Sequence, residues 1–302
     1  MFQRLRYHFL LHLIVFIWGF TGILGKLIHL DSLSIVWWRV LIAVFALFVY
    51  LKFKKWKFTV HSKKQLFAIL GVGIIVAAHW ITFYKSIQLS TASLGILCLS
   101  TTTLHVTWLE PIVMKRKFLP LEFVFGLLII LAIVYVSGDF SPKDYKALYF
   151  GLVSALLAAF FSVFNAKLVQ KTPSPTITVL ELGMAVLFLS GLLMAENRLD
   201  SSLFEMTGSD LGWLIFLGVV CTSFAFLVVI DIVNRLGAFT VSLSINLEPV
   251  YTILLAIFIL NENDLLTTKF YIGASMIVAI VISNAVIKYR MKAKNPDVFI
   301  RE

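Results

Sequence analysis

Residues 66–86 read Leu-Phe-Ala-Ile-Leu-Gly-Val-Gly-Ile-Ile-Val-Ala-Ala-His-Trp-Ile-Thr-Phe-Tyr-Lys-Ser, with a single charge, Lys85, close to the end. A helix of that length rises about 30 Å, the thickness of a bilayer's hydrocarbon core. The run is continuously apolar and lacks the two-residue alternation of a barrel strand. An open strand facing lipid would also leave its backbone polar groups unpaired. The segment therefore reads as a transmembrane helix. Working outward, nine further segments read the same way. The full set is 8–28, 33–51, 66–86, 91–113, 120–137, 147–167, 176–195, 211–232, 238–260 and 268–288. The expected fold is all-α and membrane-integral, with ten transmembrane helices.

Composition agrees. Apolar residues make up 60% of the 302 and charged residues 14%, against about 25% charged in a soluble domain. A net charge of +10 would suggest nucleic acid for a soluble chain. Here the basic residues sit between apolar runs, as cytoplasmic anchors do, so no nucleic-acid partner is expected; the lipid bilayer is. Cys98 and Cys221 lie inside apolar segments without a CxxC pattern, so neither a disulfide framework nor a metal site follows. Arg4 and Arg6 precede an apolar run that continues to about residue 28 with no small-residue cleavage pattern, which reads as an uncleaved first span.

Orientation follows from the loops. With the N-terminus inside, nineteen Lys and Arg fall in inner segments, four in outer loops (Lys143, Lys146, Arg198, Lys269) and three within spans (Lys26, Arg39, Lys85), which accounts for all 26. This is a strong positive-inside bias. Both chain ends are expected in the cytoplasm, the C-terminal one as a short basic tail over 289–302, with the chain in the inner (plasma) membrane.

The two halves resemble each other. Trp18-Gly19-Phe20-Thr21-Gly22-Ile23-Leu24-Gly25-Lys26-Leu27 aligns with residues 159–168, which also end in Lys167-Leu168. Leu89-Ser90-Thr91-Ala92-Ser93 aligns with Arg235-Leu236-Gly237-Ala238-Phe239, and Gly126 with Gly273. The register between the copies barely drifts from the first match to the last. The expected repeats are 8–137 and 147–288. Five spans per repeat is an odd number, so the second copy enters the membrane inverted, a design common among secondary transporters.

On these features the sequence resembles the drug/metabolite transporter superfamily, in its ten-span EamA-type branch. The matching residues are Trp18-Gly19 and Lys26 in span one, Arg39 within Trp38-Arg39-Val40-Leu41-Ile42-Ala43, and Tyr84 before the turn to Ala92-Ser93. In the second half they are Gly237-Ala238, Leu247-Glu248-Pro249 and Glu262. The first half departs from the pattern, with Thr103 where the second has Pro249 and Arg116 where it has Glu262. Leu109-Glu110-Pro111 repeats the letters of Leu247-Glu248-Pro249 about eight residues out of register, so it is a different site. The resemblance implies transport of small metabolites, often export of amino acids or related compounds. It also implies a central cavity lined by spans 1, 3, 4, 6, 8 and 9, no cofactor, and protons as one candidate coupling ion. It makes Arg39 structural. Monomer and homodimer both remain open.

Depth selects the candidate site. Glu248 lies near the middle of span nine, where an ionised side chain costs about 2.5–3.5 kcal/mol. Pro249 cannot donate a backbone hydrogen bond and marks a hinge. Trp18, His79, Trp80, Thr102, Thr103, His105 and Asn246 share that depth and complete the expected substrate-binding set, with Thr101 and Ser223 beside them. Each alone also suits interhelical packing. Lys26 and Lys85 read as anchors near outer ends. Glu110 and Glu181 lie near inner ends, where Lys or Arg are the expected partners. Two rival readings stand beside the transporter: a membrane enzyme using His79, His105 and Glu248, and a non-transporting scaffold. No HExxH-type cluster favours the enzyme.

Overall fold

The computed structural model describes residues 2–115, 117–236, 241, 244–245 and 247–294, and among them every regular element is helical. Arg116, Gly237, Ala238 and Asn246, all singled out above, lie outside the described residues. The helices are α1 (Phe2–Leu27), α2 (Ser32–Phe53), α3 (Lys63–Leu89), α4 (Ala92–Leu99), α5 (Thr102–Met114), α6 (Pro120–Ser137), α7 (Pro142–Leu168), α8 (Ser174–Ala195), α9 (Gly208–Ile215), α10 (Ala225–Leu236), α11 (Glu248–Leu260) and α12 (Thr268–Lys294). A π-helical stretch, Phe216–Phe224, joins α9 to α10.

Among the described residues, eight helical stretches are long and apolar enough to cross a bilayer. They include Ala92–Met114, which combines α4 and α5, and Gly208–Val229, which runs from α9 into α10. Two further apolar helices, Glu248–Leu260 and Thr268–Asn284, are shorter. Ten full-length spans are thus not seen among the described residues. For the ninth, residues 237–240, 242–243 and 246 lie outside the described ones. Helix α11 starts at Glu248 after a turn in which Leu247 N–H donates to the Ser244 carbonyl at 3.0 Å, and Pro249, which has no N–H, takes its first turn. The outer surfaces of these helices are apolar: Phe258 is 79% exposed, Phe45 69% and Leu187 68%. Exposed apolar side chains on this many helices would aggregate in water and are at home in lipid.

Polar side chains set the helix starts. Asp31 accepts from the backbone of Leu33 and Ser34, Ser62 from Gln65, and Thr91 from Leu94. Ser141 with Asp144, and Thr207 with Asp210, form reciprocal capping boxes. The helix ends carry a second regularity. Among the described residues four non-glycine positions have positive φ: Lys55, Lys115, Asn197 and Asn261, at 52°, 55°, 53° and 53°. Lys55 and Asn197 follow α2 and α8, and Lys115 and Asn261 cap α5 and α11. Helices α5 and α11 are both 13 residues long, and their starts, Thr102 and Glu248, are related by the same register as their caps. The backbone therefore repeats in the register read from the sequence.

Packing has the same two-part form. Helix α1 packs on α11 and on the α9–α10 span, while α7 packs on α4, α5 and α3. Helix α2 packs on the π segment and α3 on α8, with α2 against α8 across the middle and α6 against α12 at the edge. Around the turns 28–31, 90–91, 138–141 and 196–207, polar ties link connections distant in sequence. Lys26 Nζ donates to the Ser90 carbonyl at 2.5 Å, and Gln88 to that of Leu30 at 2.7 Å. Glu262 accepts from the N–H groups of Ala92 and Ser93 at 2.7 and 3.0 Å, closing the start of α4 from the other half of the chain. Arg198 pairs with Asp31. Burial disfavours the Asp31 carboxylate, yet hydrogen bonds from Arg198 and Ser34 and the Arg198 charge outweigh it and hold the pKa below the usual carboxylate range.

The α6–α12 edge rests on a missing side chain. A Cβ on Gly273 would overlap Val136 and lie 3.3 Å from the Ala132 carbonyl. Gly273→Val should therefore lower the melting temperature by several degrees, the usual consequence of overpacking at about 1–3 kcal/mol. Gly71→Ala, where nothing lies within 4 Å, should leave it unchanged or slightly raised. Thermal unfolding of both variants in detergent checks the pair, and an unshifted Gly273→Val would show that the edge tolerates separation.

Candidate functional site

Arg39 organises the interior. It sits on α2, 4% exposed, and reaches two other elements. Its Nε donates to Thr222 Oγ1 at 3.0 Å and its Nη1 to the Tyr84 hydroxyl at 3.2 Å. Its guanidinium carbon lies 4.0 Å from the centre of the Trp80 ring. A desolvated cation over an indole face is stabilised by about 2 kcal/mol, which helps offset the cost of burying the charge. Tyr84 passes the link on, donating to the Thr21 carbonyl of α1 at 3.4 Å.

The π-helical stretch is the other half of this arrangement. Its wider turn places the Thr222 and Ser223 hydroxyls against carbonyls five residues back, Leu217 at 2.9 Å and Gly218 at 3.1 Å. Ser223 also donates to the Ala43 carbonyl on α2 at 2.8 Å, and Trp18 Nε1 donates to the Cys221 carbonyl at 3.2 Å. Helices α1, α2 and α3 thus all bond to this stretch or to the arginine docked on it. Sequence reasoning left Arg39 outside the site. The signal that would have included it is a cation two turns deep in a span, which has to find partners.

Glu248 opens α11, half-buried, and the Arg39 charge acts on its carboxyl group. The helix is pinned there: Thr252 Oγ1 donates to the carbonyls of Glu248 at 3.1 Å and Gly19 at 3.0 Å. Pro249 takes the first turn of α11, where the missing N–H costs nothing, so it marks a break between two helical pieces and not a bend within one. The equivalent break in the first half lies between α4 and α5. There Ser100, Thr101 and Leu104 bond three residues back, and Thr101 Oγ1 returns to the Cys98 carbonyl at 2.8 Å. Thr102 and Thr103 open α5 as Glu248 and Pro249 open α11 in the second copy.

The expected site residues divide into groups. Trp18 and Trp80 join the network that includes Arg39 and the π stretch, with Glu248 within its electrostatic reach. Thr102 Oγ1 donates to the Ala155 carbonyl of α7 at 3.2 Å, while Thr103 and His105 remain half-buried, His105 edge-on to Trp108. His79 is buried in the α3–α7 seam. There it exchanges hydrogen bonds with Ser154, whose carbonyl and hydroxyl both lie 2.9 Å from Nδ1, and stacks near Phe83 and Phe161. Asn246 lies outside the described residues. Glu181 meets an amide where a cation was expected: Asn165 Nδ2 donates to its Oε2 at 3.2 Å, because the lysines of that end are exposed. Two of the pockets among the described residues open at the surface. One, about 310 Å³, is lined by Ser90, Thr91, Asp139, Lys143, Asp144 and Phe270 among others; one lies along α12. Neither reaches the Arg39–Glu248 centre. Among the described residues no group of three His, Cys, Asp or Glu side chains is placed to hold a metal ion.

Comparison with known proteins gives this arrangement a family. A solved structure titled only "Crystal structure of protein" superposes with a TM-score of 0.65 at 14% identity, covering 93% of this chain and 98% of that one, and so shares the fold. No curated protein matches the sequence. The model of the EamA-like transporter family matches twice, over residues 5–138 and 145–284. The chain is a multi-pass membrane protein that belongs to the EamA-like transporter family.

Proposed function

We propose that the protein is a secondary transporter that exports small metabolites, amino acids or related compounds, by alternating access in the inner membrane. The observation that carries this reading is the pair of interrupted helices, α4–α5 and the segment ending in α11, whose second pieces start at matching positions of the two copies, Thr102 and Glu248. Interrupted spans at matching positions of two repeats expose helix ends at mid-depth, where a polar substrate can be held in lipid. The reading takes ten crossings, two inverted repeats and both termini in the cytoplasm. The exchangeable packing supports the repeats: α1 on α11 corresponds to α7 on α4–α5, and α2 on the π stretch to α8 on α3.

Within this site Glu248 is the group that meets the substrate's ammonium or the coupling proton. Arg39 is held by Thr222, Tyr84 and Trp80. It supplies a fixed positive field opposite Glu248 and positions the helices, without needing to touch substrate. Trp18, Trp80, Thr102, Thr103, His105 and Asn246 form the remaining wall, and Pro249 is the hinge. The enzyme reading needs His79 beside Glu248, but both the carbonyl and the hydroxyl of Ser154 are within bonding distance of the His79 ring.

The orientation is tested by cysteine labelling with a membrane-impermeant thiol reagent. Native Cys98 and Cys221 are buried and give a low background. Lys57→Cys should be shielded in intact cells and Ser202→Cys labelled; the reverse pattern would refute the orientation and reopen the count of crossings.

The site is tested in proteoliposomes with a substrate panel. Glu248→Gln keeps shape and removes charge. If the carboxylate holds an ammonium group, the apparent affinity should fall roughly 10–100-fold, the worth of a hydrogen bond to a charged group, and analogues without the ammonium should be spared. If it carries the proton, pH-driven flux should be lost while substrate binding persists. Expression and melting temperature are measured beside the flux. Normal transport by Glu248→Gln across about pH 5.5 to 8, the range in which a histidine or a perturbed carboxyl group titrates, would remove Glu248 from the mechanism.

A further inference from the structure

Away from the central site, α7 and α8 face each other through one carboxyl group and one amide. Asn165 Nδ2 donates to Glu181 Oε2 at 3.2 Å. The other two oxygens of the pair, Glu181 Oε1 and Asn165 Oδ1, are both buried, and neither has a hydrogen-bond partner among the described residues. An ionised carboxylate has only acceptors, as does the amide oxygen. Turning the amide over changes which oxygens are left out and supplies no donor. A buried acceptor without a donor costs about 1–3 kcal/mol, and two on one pair mark a missing hydrogen.

No side chain among the described residues supplies that donor. Glu181 is 6% exposed. Helix α3 closes one side, where a Cβ on Gly73 would come within 3.0 Å of Glu181 Cα. The cations of the helices packed around it are turned away. Lys52 and Lys54 of the α2 end and Lys63 and Lys64 of α3 are exposed, and Lys167 of α7 donates to the Val113 carbonyl at 3.1 Å. Two oxygens are also too few for a hard divalent cation, which takes about six to eight.

We infer that Glu181 and Asn165 form a proton-binding site, in which the carboxyl group holds one proton on Oε1 and donates it to Asn165 Oδ1. The product is a cyclic acid–amide pair with two parallel hydrogen bonds, N–H to carboxyl and O–H to amide, and no oxygen left over. The proton comes from water, and releasing it restores the carboxylate. Separation of α7 from α8 would break both bonds together and wet the carboxylate, so the pair can give up its proton as the helices move. This makes it a candidate for the coupling proton, at a position other than Glu248 and independent of any role for that residue.

The test reads the proton itself. Infrared spectra of the full-length protein in lipid, at neutral pH and with deuterium exchange, are recorded for the wild type and for Glu181→Gln. The difference should contain one protonated-carboxyl C=O stretch that disappears in the variant. Its absence at neutral pH would overturn the proposal. Glu181→Gln should melt within a few degrees of the wild type, because the Gln amide donates to Asn165 Oδ1 in the proton's place, whereas Glu181→Ala should melt lower. Should Glu181→Gln fail to fold, Asn165→Ala carries the same information: the carboxyl band persists but shifts as its hydrogen bond is lost, and an unmoved band would refute the pairing. A melting temperature raised by sodium chloride over choline chloride in the wild type and not in Glu181→Gln would mean a metal cation in the proton's place, which also overturns the proposal.

Discussion

Inside a bilayer every backbone N–H and C=O must find its partner within the protein. A continuous helix meets this condition without help. Among the described residues the chain departs from the continuous helix before α5, before α11 and through the π stretch. At each, short hydroxyl side chains supply what the ladder loses. Thr101 returns to Cys98, Thr222 and Ser223 follow the wide turn to Leu217 and Gly218, and Thr252 secures the start of α11 to α1 through the Gly19 carbonyl. These threonines and serines look like weak polar substitutions in apolar runs. They are what allows the backbone to be irregular at this depth.

The irregular backbone is also what makes a buried charge tolerable. Arg39 is docked on the hydroxyl that the π turn presents, with an aromatic face below it and a phenol beside it. A lysine would keep the charge but lose the fork that reaches Thr222 and Tyr84 together. Since those partners lie on different helices, the guanidinium works as a junction between α2, α3 and the π stretch. The positive field it sets then falls on Glu248, the carboxyl group at the start of α11. Structure and candidate function meet here, because the charge that holds the helices is the charge the carboxyl group senses.

How much of this was readable in the sequence follows from the range of each interaction. The apolar runs and the repeat register are local or periodic, and they appear directly in the residues. The positive-φ pairs at Lys55 and Asn197, and at Lys115 and Asn261, extend that periodicity into the backbone. Depth placed Trp18, Trp80 and Glu248 near a common level. It could not say that His79 turns to Ser154, 75 residues away, or that Arg39 meets Thr222, 183 residues away. The π turn was illegible because Cys221-Thr222-Ser223 suits an ordinary helix equally well. Glu181 was misjudged for a related reason. Its expected partners, the lysines of the same end, reach water at little cost on their long stems, so the carboxyl group is left to an amide.

The two halves use the same backbone device with different chemistry. Helices α5 and α11 match in length, in register and in their left-handed final caps, yet the first begins with Thr102-Thr103 and the second with Glu248-Pro249. If the interruption existed only to bind a charged group, the first copy, which has no carboxyl group at its break, would have no reason to carry it. If it existed only to let the helices flex, the second copy would have no reason to bear the cost of a carboxyl group at mid-depth. The pair is best understood as one interrupted backbone frame present twice, with a carboxyl group at the break of only the second copy. The two breaks differ in the residues they carry: the threonine of the first is satisfied by the Ala155 carbonyl, while the second opens on a carboxyl group that lies within the electrostatic reach of Arg39.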